Sequence, residues 1–149
     1  MWRDVHSQAH EHARLPYDWA RCDRGDSVTE GNRCRRQWRW FVSPETGRRI
    51  AREEYEALPV HGQAALASAI GRRGHGASLP GEVKPLVGRK GLFELTVQVG
   101  YDPFRALFFV DSPVHDICVL VAYKNQRRLP KSDLDLAVRR MGQWKAAAR

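Results

Sequence analysis

The sequence predicts an α+β domain with helices packed on an antiparallel sheet. Three observations carry this. Phe93, Leu95, Val97 and Val99 alternate with Glu94, Thr96 and Gln98, the two-residue period of a half-buried strand. Apolar residues recur at helical spacing before that stretch and again at the end of the chain. Short turns join the intervening β-prone runs, which makes them an antiparallel meander. The order is therefore one strand, two helices, a meander and a last helix.

Each element has its own local reason. Trp38 to Val42 is aromatic and β-prone, so it reads as a short strand. Ser43-Pro44-Glu45 has the form of a helix start, with a capping hydroxyl, a proline at the first helical position and an early acid. Ile50, Ala51, Tyr55 and Leu58 give the inner face of that helix. Pro59 breaks it and opens a second one, with Leu66, Ala67 and Ile70 inward and Arg72-Arg73-Gly74 at its end. Val83 to Val87 reads as a short edge strand. Gly88-Arg89-Lys90-Gly91 turns the chain into Leu92 to Val99, and Gly100 to Pro103 turns it again. Phe104 to Asp111 is the next strand. Asp116 to Tyr123, apolar on both faces, is a strand with neighbours on each side. From about Pro130 to Ala147, Leu134, Ala137, Val138, Met141 and Trp144 form the stripe of the final helix, with Arg139, Arg140 and Lys145 off it.

A chain of 149 residues holds one domain with a real core. The expected division is a disordered or poorly docked extension over 1–36 and a folded domain over 37–149. The first segment is dominated by Arg, Asp, Ser, Gly and His and keeps no helical or strand period. His10, His12, Cys22 and Cys34 fit no common zinc-finger spacing, and a translation start near Val28 would leave out most of that segment. The longest apolar run, Ile117 to Ala122, is far below the about 20 residues of a membrane helix. No basic start followed by an apolar segment opens the chain, and three cysteines form no evident pairing. A cytoplasmic, reducing location is expected, without contact to a membrane.

The net charge is +8 and the isoelectric point about 9.9. Residues 81–149 carry 12 cations against 7 acids, so the excess sits with the predicted meander and last helix. Such a balance favours a polyanionic partner, nucleic acid or the ribosome. The densest feature is Tyr123-Lys124-Asn125-Gln126-Arg127-Arg128-Leu129-Pro130-Lys131, four cations without an acid where a strand ends and a helix begins. Held by the sheet, such an array neutralises phosphates and the extra charge of a transition state. Cations near a helix start run against the helix dipole, which weakens a purely structural explanation. Arg105 lies inside the apolar run Phe104 to Val110 and needs either a ligand or an ion pair with Glu94 or Asp116. Lys84, Arg89 and Lys90 add a second, weaker basic group. There is no phosphate-cradling glycine loop, no HExxH and no carboxylate cluster for two-metal catalysis. No metal or other cofactor is expected, and cleavage of nucleic acid would rest on cations and a tyrosine.

Taken together, Gly91-Leu92-Phe93-Glu94-Leu95, Phe104-Arg105-Ala106-Leu107-Phe108, Ala122 to Pro130 and Ala137-Val138-Arg139-Arg140 resemble the RelE/ParE superfamily of type II toxins, in its phage-derived HigB-like branch. Trp38 to Leu58 is similar to the opening strand and helix of that branch. The resemblance implies a curved antiparallel sheet with an N-terminal helical hairpin and a C-terminal helix. It implies a toxin that cuts mRNA on the ribosome without a metal and is silenced by a cognate antitoxin, expected to be of helix-turn-helix type. In RelE-like enzymes a ribose 2′-hydroxyl attacks the adjacent phosphate. On that pattern Arg105 meets the scissile phosphate and Lys124 is the first cation after the last strand. Arg127, Arg128 and Lys131 form the RNA-binding tail, with Lys84, Arg89 and Lys90 beside it. Glu94, Thr96 and Asn125 depart from the family, standing where its members often carry cations. No general base is therefore evident, and Tyr123 is the candidate. A ParE-like topoisomerase inhibitor acting by binding, or an inactive RNA-binding prophage remnant, are the alternative readings.

Overall fold

A computed structural model describes residues 36–123 and 128–148. The elements are β1 (Gln37–Trp40), α1 (Ile50–Glu56), α2 (Val60–Gly74), β2 (Val83–Pro85), β3 (Leu92–Val99), β4 (Asp102–Ser112), β5 (His115–Tyr123) and α3 (Lys131–Ala147). They make an α+β domain around one five-stranded sheet of order β1-β5-β4-β3-β2.

The meander β3-β4-β5 is antiparallel, as its short turns require, and β2 adds an antiparallel edge. The sheet is nevertheless mixed. β1 runs parallel to β5, from Gln37 opposite His115 to Trp40 opposite Cys118, because the chain leaves β1 through two helices instead of a hairpin. β5 therefore lies between two neighbours over its first half, and its two faces are apolar because helices cover the sheet on both sides.

The sheet is covered on both sides. Adjacent strand residues point to opposite faces, and the aromatic residues of β4 show which helix covers which. Phe104 and Phe108 lie on one face. Phe104 meets Gly62 of α2, and the Arg73 guanidinium of α2 sits 5.3 Å over the Phe108 ring. Phe109 lies on the other face, under Lys145 of α3, whose Nζ is 5.4 Å from its ring centre. Trp38, also against Phe108, and Trp40, against Tyr55, continue the aromatic core into β1 and α1. Cys118 is fully buried in this core, and burial pushes its thiol well above the usual range.

Several boundaries shift by a few residues, and two of the shifts have a clear physical cause. Ser43-Pro44-Glu45 does not start a helix: the Ser43 backbone bonds with Arg48 and Gly47 close a tight turn. Gly47 takes a φ of 70°, open to glycine at little cost, so α1 waits until Ile50. The folded unit also includes Arg36, which the composition assigns to the N-terminal extension. Its guanidinium reaches Asp116 Oδ1 at 2.9 Å and donates to the carbonyls of Ser112, Pro113 and His115. Arg73 holds Oδ2 of the same carboxylate at 3.0 Å. Asp116 is only 1% exposed, so this pair of arginines is what makes a buried carboxylate tolerable at the junction of β1, α2 and the β4–β5 turn.

Candidate functional site

The site expected from the sequence divides between the two faces of the sheet. Arg105 sits on the α3 face of β4, opposite Thr96 of β3 and Ala122 of β5. It is 9% exposed. Its Nε lies 3.5 Å from Oε1 of Glu94, and the Thr96 hydroxyl donates to that same carboxylate oxygen. Of the two acids expected as its ion-pair partner, Glu94 is the one beside it, because Asp116, paired with Val110, points to the α2 face, where Arg36 and Arg73 hold it. Register then brings Lys84 of β2 opposite Glu94. Lys84, Glu94, Thr96 and Arg105 thus form one constellation across three strands, with about a fifth of the Glu94 side chain reaching solvent.

Tyr123 lies on the opposite face. It pairs with Phe104, and the two rings stack 4.8 Å apart at 15°. Its hydroxyl donates to Asp102 Oδ1 at 3.2 Å, and this bond to a carboxylate raises its pKa above the ordinary phenol value. A phenol held protonated, with the sheet between it and Arg105, does not share a site with that arginine and is poorly suited to act as a base at neutral pH. Asp102 Oδ2 also lies 3.6 Å from Nε2 of His61, whose ring meets that of Phe104 edge-on. This His61–Asp102–Tyr123 group joins α2 to the meander.

The remaining basic residues divide as well. Lys124 and Arg127 lie outside the described residues. Arg128 and Lys131 are exposed just before and at the start of α3. Lys90 is exposed in the β2–β3 turn, whereas Arg89 in that turn donates to Asp135 of α3 at 3.0 Å and ties the turn to the helix. Arg140 is 8% exposed, not on the surface. β1 ends beside Cys118, which leaves the edge of β5 beyond it without a strand partner. Arg140 donates to the Val119 carbonyl at 2.8 Å, and Glu54 of α1 accepts the Val121 N–H at 3.1 Å. The two side chains bind each other at 3.0 Å through both Glu54 oxygens. Side chains from α1 and α3 thus complete the ladder that β1 abandons.

Among the described residues no three His, Cys, Asp or Glu side chains gather into a group that could hold a metal, and no helix is long and apolar enough to cross a membrane.

Comparison with known proteins agrees with the sequence resemblance. Residues 53–142 match the family described as phage-derived protein Gp49-like. The chain is 32% identical over 110 residues to the probable endoribonuclease HigB1 of Mycobacterium tuberculosis, in strain CDC 1551 / Oshkosh and in strain ATCC 25618 / H37Rv. The match covers 74% of this chain and 86% of the relative. The matched span runs from α1 into the last helix and contains the whole Lys84–Glu94–Thr96–Arg105 constellation. The chain belongs to the Gp49-like family of phage-derived proteins, within the HigB-like branch of the RelE/ParE toxins.

Proposed function

We propose that the protein is the toxin of a type II toxin–antitoxin system and an endoribonuclease that cleaves mRNA on the ribosome without a metal. The observation that carries this reading is Arg105: a nearly buried strand arginine on one face of the meander, inside a sequence span shared with an endoribonuclease relative. A guanidinium fixed by a sheet holds a phosphate in one orientation, and it stabilises the extra negative charge when the 2′-hydroxyl attacks. Lys84, Lys124 and the tail Arg127, Arg128 and Lys131 bind the surrounding backbone, with Lys90 at the neighbouring turn. Arg89 belongs to that basic turn but serves the fold through Asp135. A cognate antitoxin of helix-turn-helix type is the expected partner, and the cytoplasm the expected location.

The test is inducible expression without antitoxin. Growth and translation should stop, and Arg105→Ala and Lys124→Ala should relieve the arrest. Folded variants that remain as toxic as the parent would remove both residues from the site. Induction of a DNA-damage response with mRNA left intact would select the topoisomerase-inhibitor reading, and harmless overexpression the inactive one.

A further inference from the structure

The reaction proposed above needs a group to take the 2′-hydroxyl proton, and Tyr123 is on the wrong side of the sheet to do so. We propose that Glu94 is the general base of the site, resting on the endoribonuclease reading. In this transesterification the attacking oxygen and the phosphorus start about 3–3.5 Å apart, so the base and the phosphate-binding group must be immediate neighbours. Glu94 Oε1 lies 3.5 Å from Arg105 Nε. The described strand side chains next to Arg105 on that face are Glu94, Thr96 and Gln98 of β3, Pro103 and Leu107 of β4, and Leu120 and Ala122 of β5. Glu94 is the one carboxylate among them.

Its surroundings fit the role. The Thr96 hydroxyl donates to Oε1 and fixes the carboxylate rotamer, which makes Thr96 a positioning residue. Arg105 and the cross-strand Lys84 place positive charge beside the base, where the phosphate would enter. Glu94 therefore stands where a superfamily cation is often found without leaving the face devoid of cations. The step balances without a co-reactant. Glu94 takes the 2′ proton, the O2′–P bond forms, and Arg105 stabilises the phosphorane. The P–O5′ bond then breaks, with the 5′ oxygen protonated by water. The products are a 2′,3′-cyclic phosphate and a 5′-hydroxyl.

Proximity alone admits a competing role, in which Glu94 only neutralises Arg105, and the two roles predict opposite signs. The experiment compares the full-length protein with its Glu94→Gln and Glu94→Asp variants on mRNA-programmed ribosomes, measuring binding and single-turnover cleavage separately. Glutamine keeps the shape and the acceptor for Thr96 while removing the charge. The base role predicts that E94Q binds as tightly as the parent or more so, melts at a similar temperature, and loses cleavage by about 100-fold or more. E94D, which keeps a carboxylate, should retain part of the rate. An E94Q variant that cleaves as fast as the parent, or faster, overturns the assignment of Glu94 and leaves the endoribonuclease reading standing. A parent protein that binds programmed ribosomes without cleaving overturns that reading itself.

Discussion

Replacing Arg140 separates architecture from RNA binding most sharply, because the sequence places it beside Arg139 in a basic pair while the structure buries it. Arg140 makes two bonds of 3.0 Å to Glu54 and one of 2.8 Å to the Val119 carbonyl. Hydrogen bonds to charged groups contribute about 1.5–3 kcal/mol, and breaking a buried ion pair costs about 3–5 kcal/mol. The Arg140 side chain is 9% exposed but that of Glu54 is 28% exposed, so Arg140→Ala should cost roughly 2–3 kcal/mol, less than breaking a fully buried pair. At roughly 4 °C per kcal/mol for a domain of this size, the melting temperature falls by roughly 8–12 °C. Arg139→Ala, on the exposed side of the same helix, should cost less than about 0.5 kcal/mol. The pH dependence has a definite sign. Burial already raises the Glu54 carboxyl above its ordinary value, and loss of Arg140 raises it further. A raised carboxyl favours the folded state while protonated, and that contribution is lost as pH rises through its folded value. The deficit of R140A should therefore be largest at neutral pH and shrink in acid. Thermal melts followed by circular dichroism from pH 4 to 8 test this. A variant within about 3 °C of the parent at neutral pH, or an R139A variant equally damaged, would refute the reasoning.

Glycine 62 should not tolerate alanine: a Cβ there would stand 2.6 Å from Cδ1 and Cζ of the buried Phe104 ring, so overpacking of about 1–3 kcal/mol outweighs the about 1 kcal/mol that alanine gains in a helix. Gly142→Ala, with nothing near its Cβ, should instead raise the melting temperature. Asp116→Ala leaves the Arg36 and Arg73 guanidiniums without their shared carboxylate and should cost about 3 kcal/mol in urea unfolding; a loss below about 1 kcal/mol would count against the clamp. Burial, then the charge of Arg39, lowers the His115 pKa. The stability this contributes is present above the ordinary value of 6.5 and lost as pH falls through the folded value. The parent should therefore lose melting temperature from pH 7 to pH 5 more steeply than His115→Gln does.

The elements were legible where one short-range physical cause dominated. The two-residue alternation of β3 and the break at Pro59 led to the right elements, and the turn around Gly100 separated β3 from β4. What the sequence hid were pairings between distant residues. Arg36 and Asp116 are 80 residues apart, and Glu54 and Arg140 are 86; no local pattern marks either pair. Arg140 also lies off the apolar stripe of its helix, so periodicity alone placed it in solvent. β1 read correctly as a strand, but its parallel pairing depends on where two intervening helices return the chain. Arg105 stood out as a charge inside the apolar run Phe104 to Val110, and Glu94 was one of the two acids named as its possible ion-pair partner. Tyr123 was drawn into the same site by adjacency to Lys124. The alternation that made β3 readable also sends Tyr123, paired with Phe104, to the other face.

The proposed activity rests on Arg105 holding the phosphate at which RNA is cut. Mapping of cellular mRNA 5′ ends after induction examines this in the cell. New 5′-hydroxyl ends should appear within translated reading frames and be absent when a folded Arg105→Ala variant is expressed. Arrested growth with no new ends, or the same ends with R105A, would contradict it.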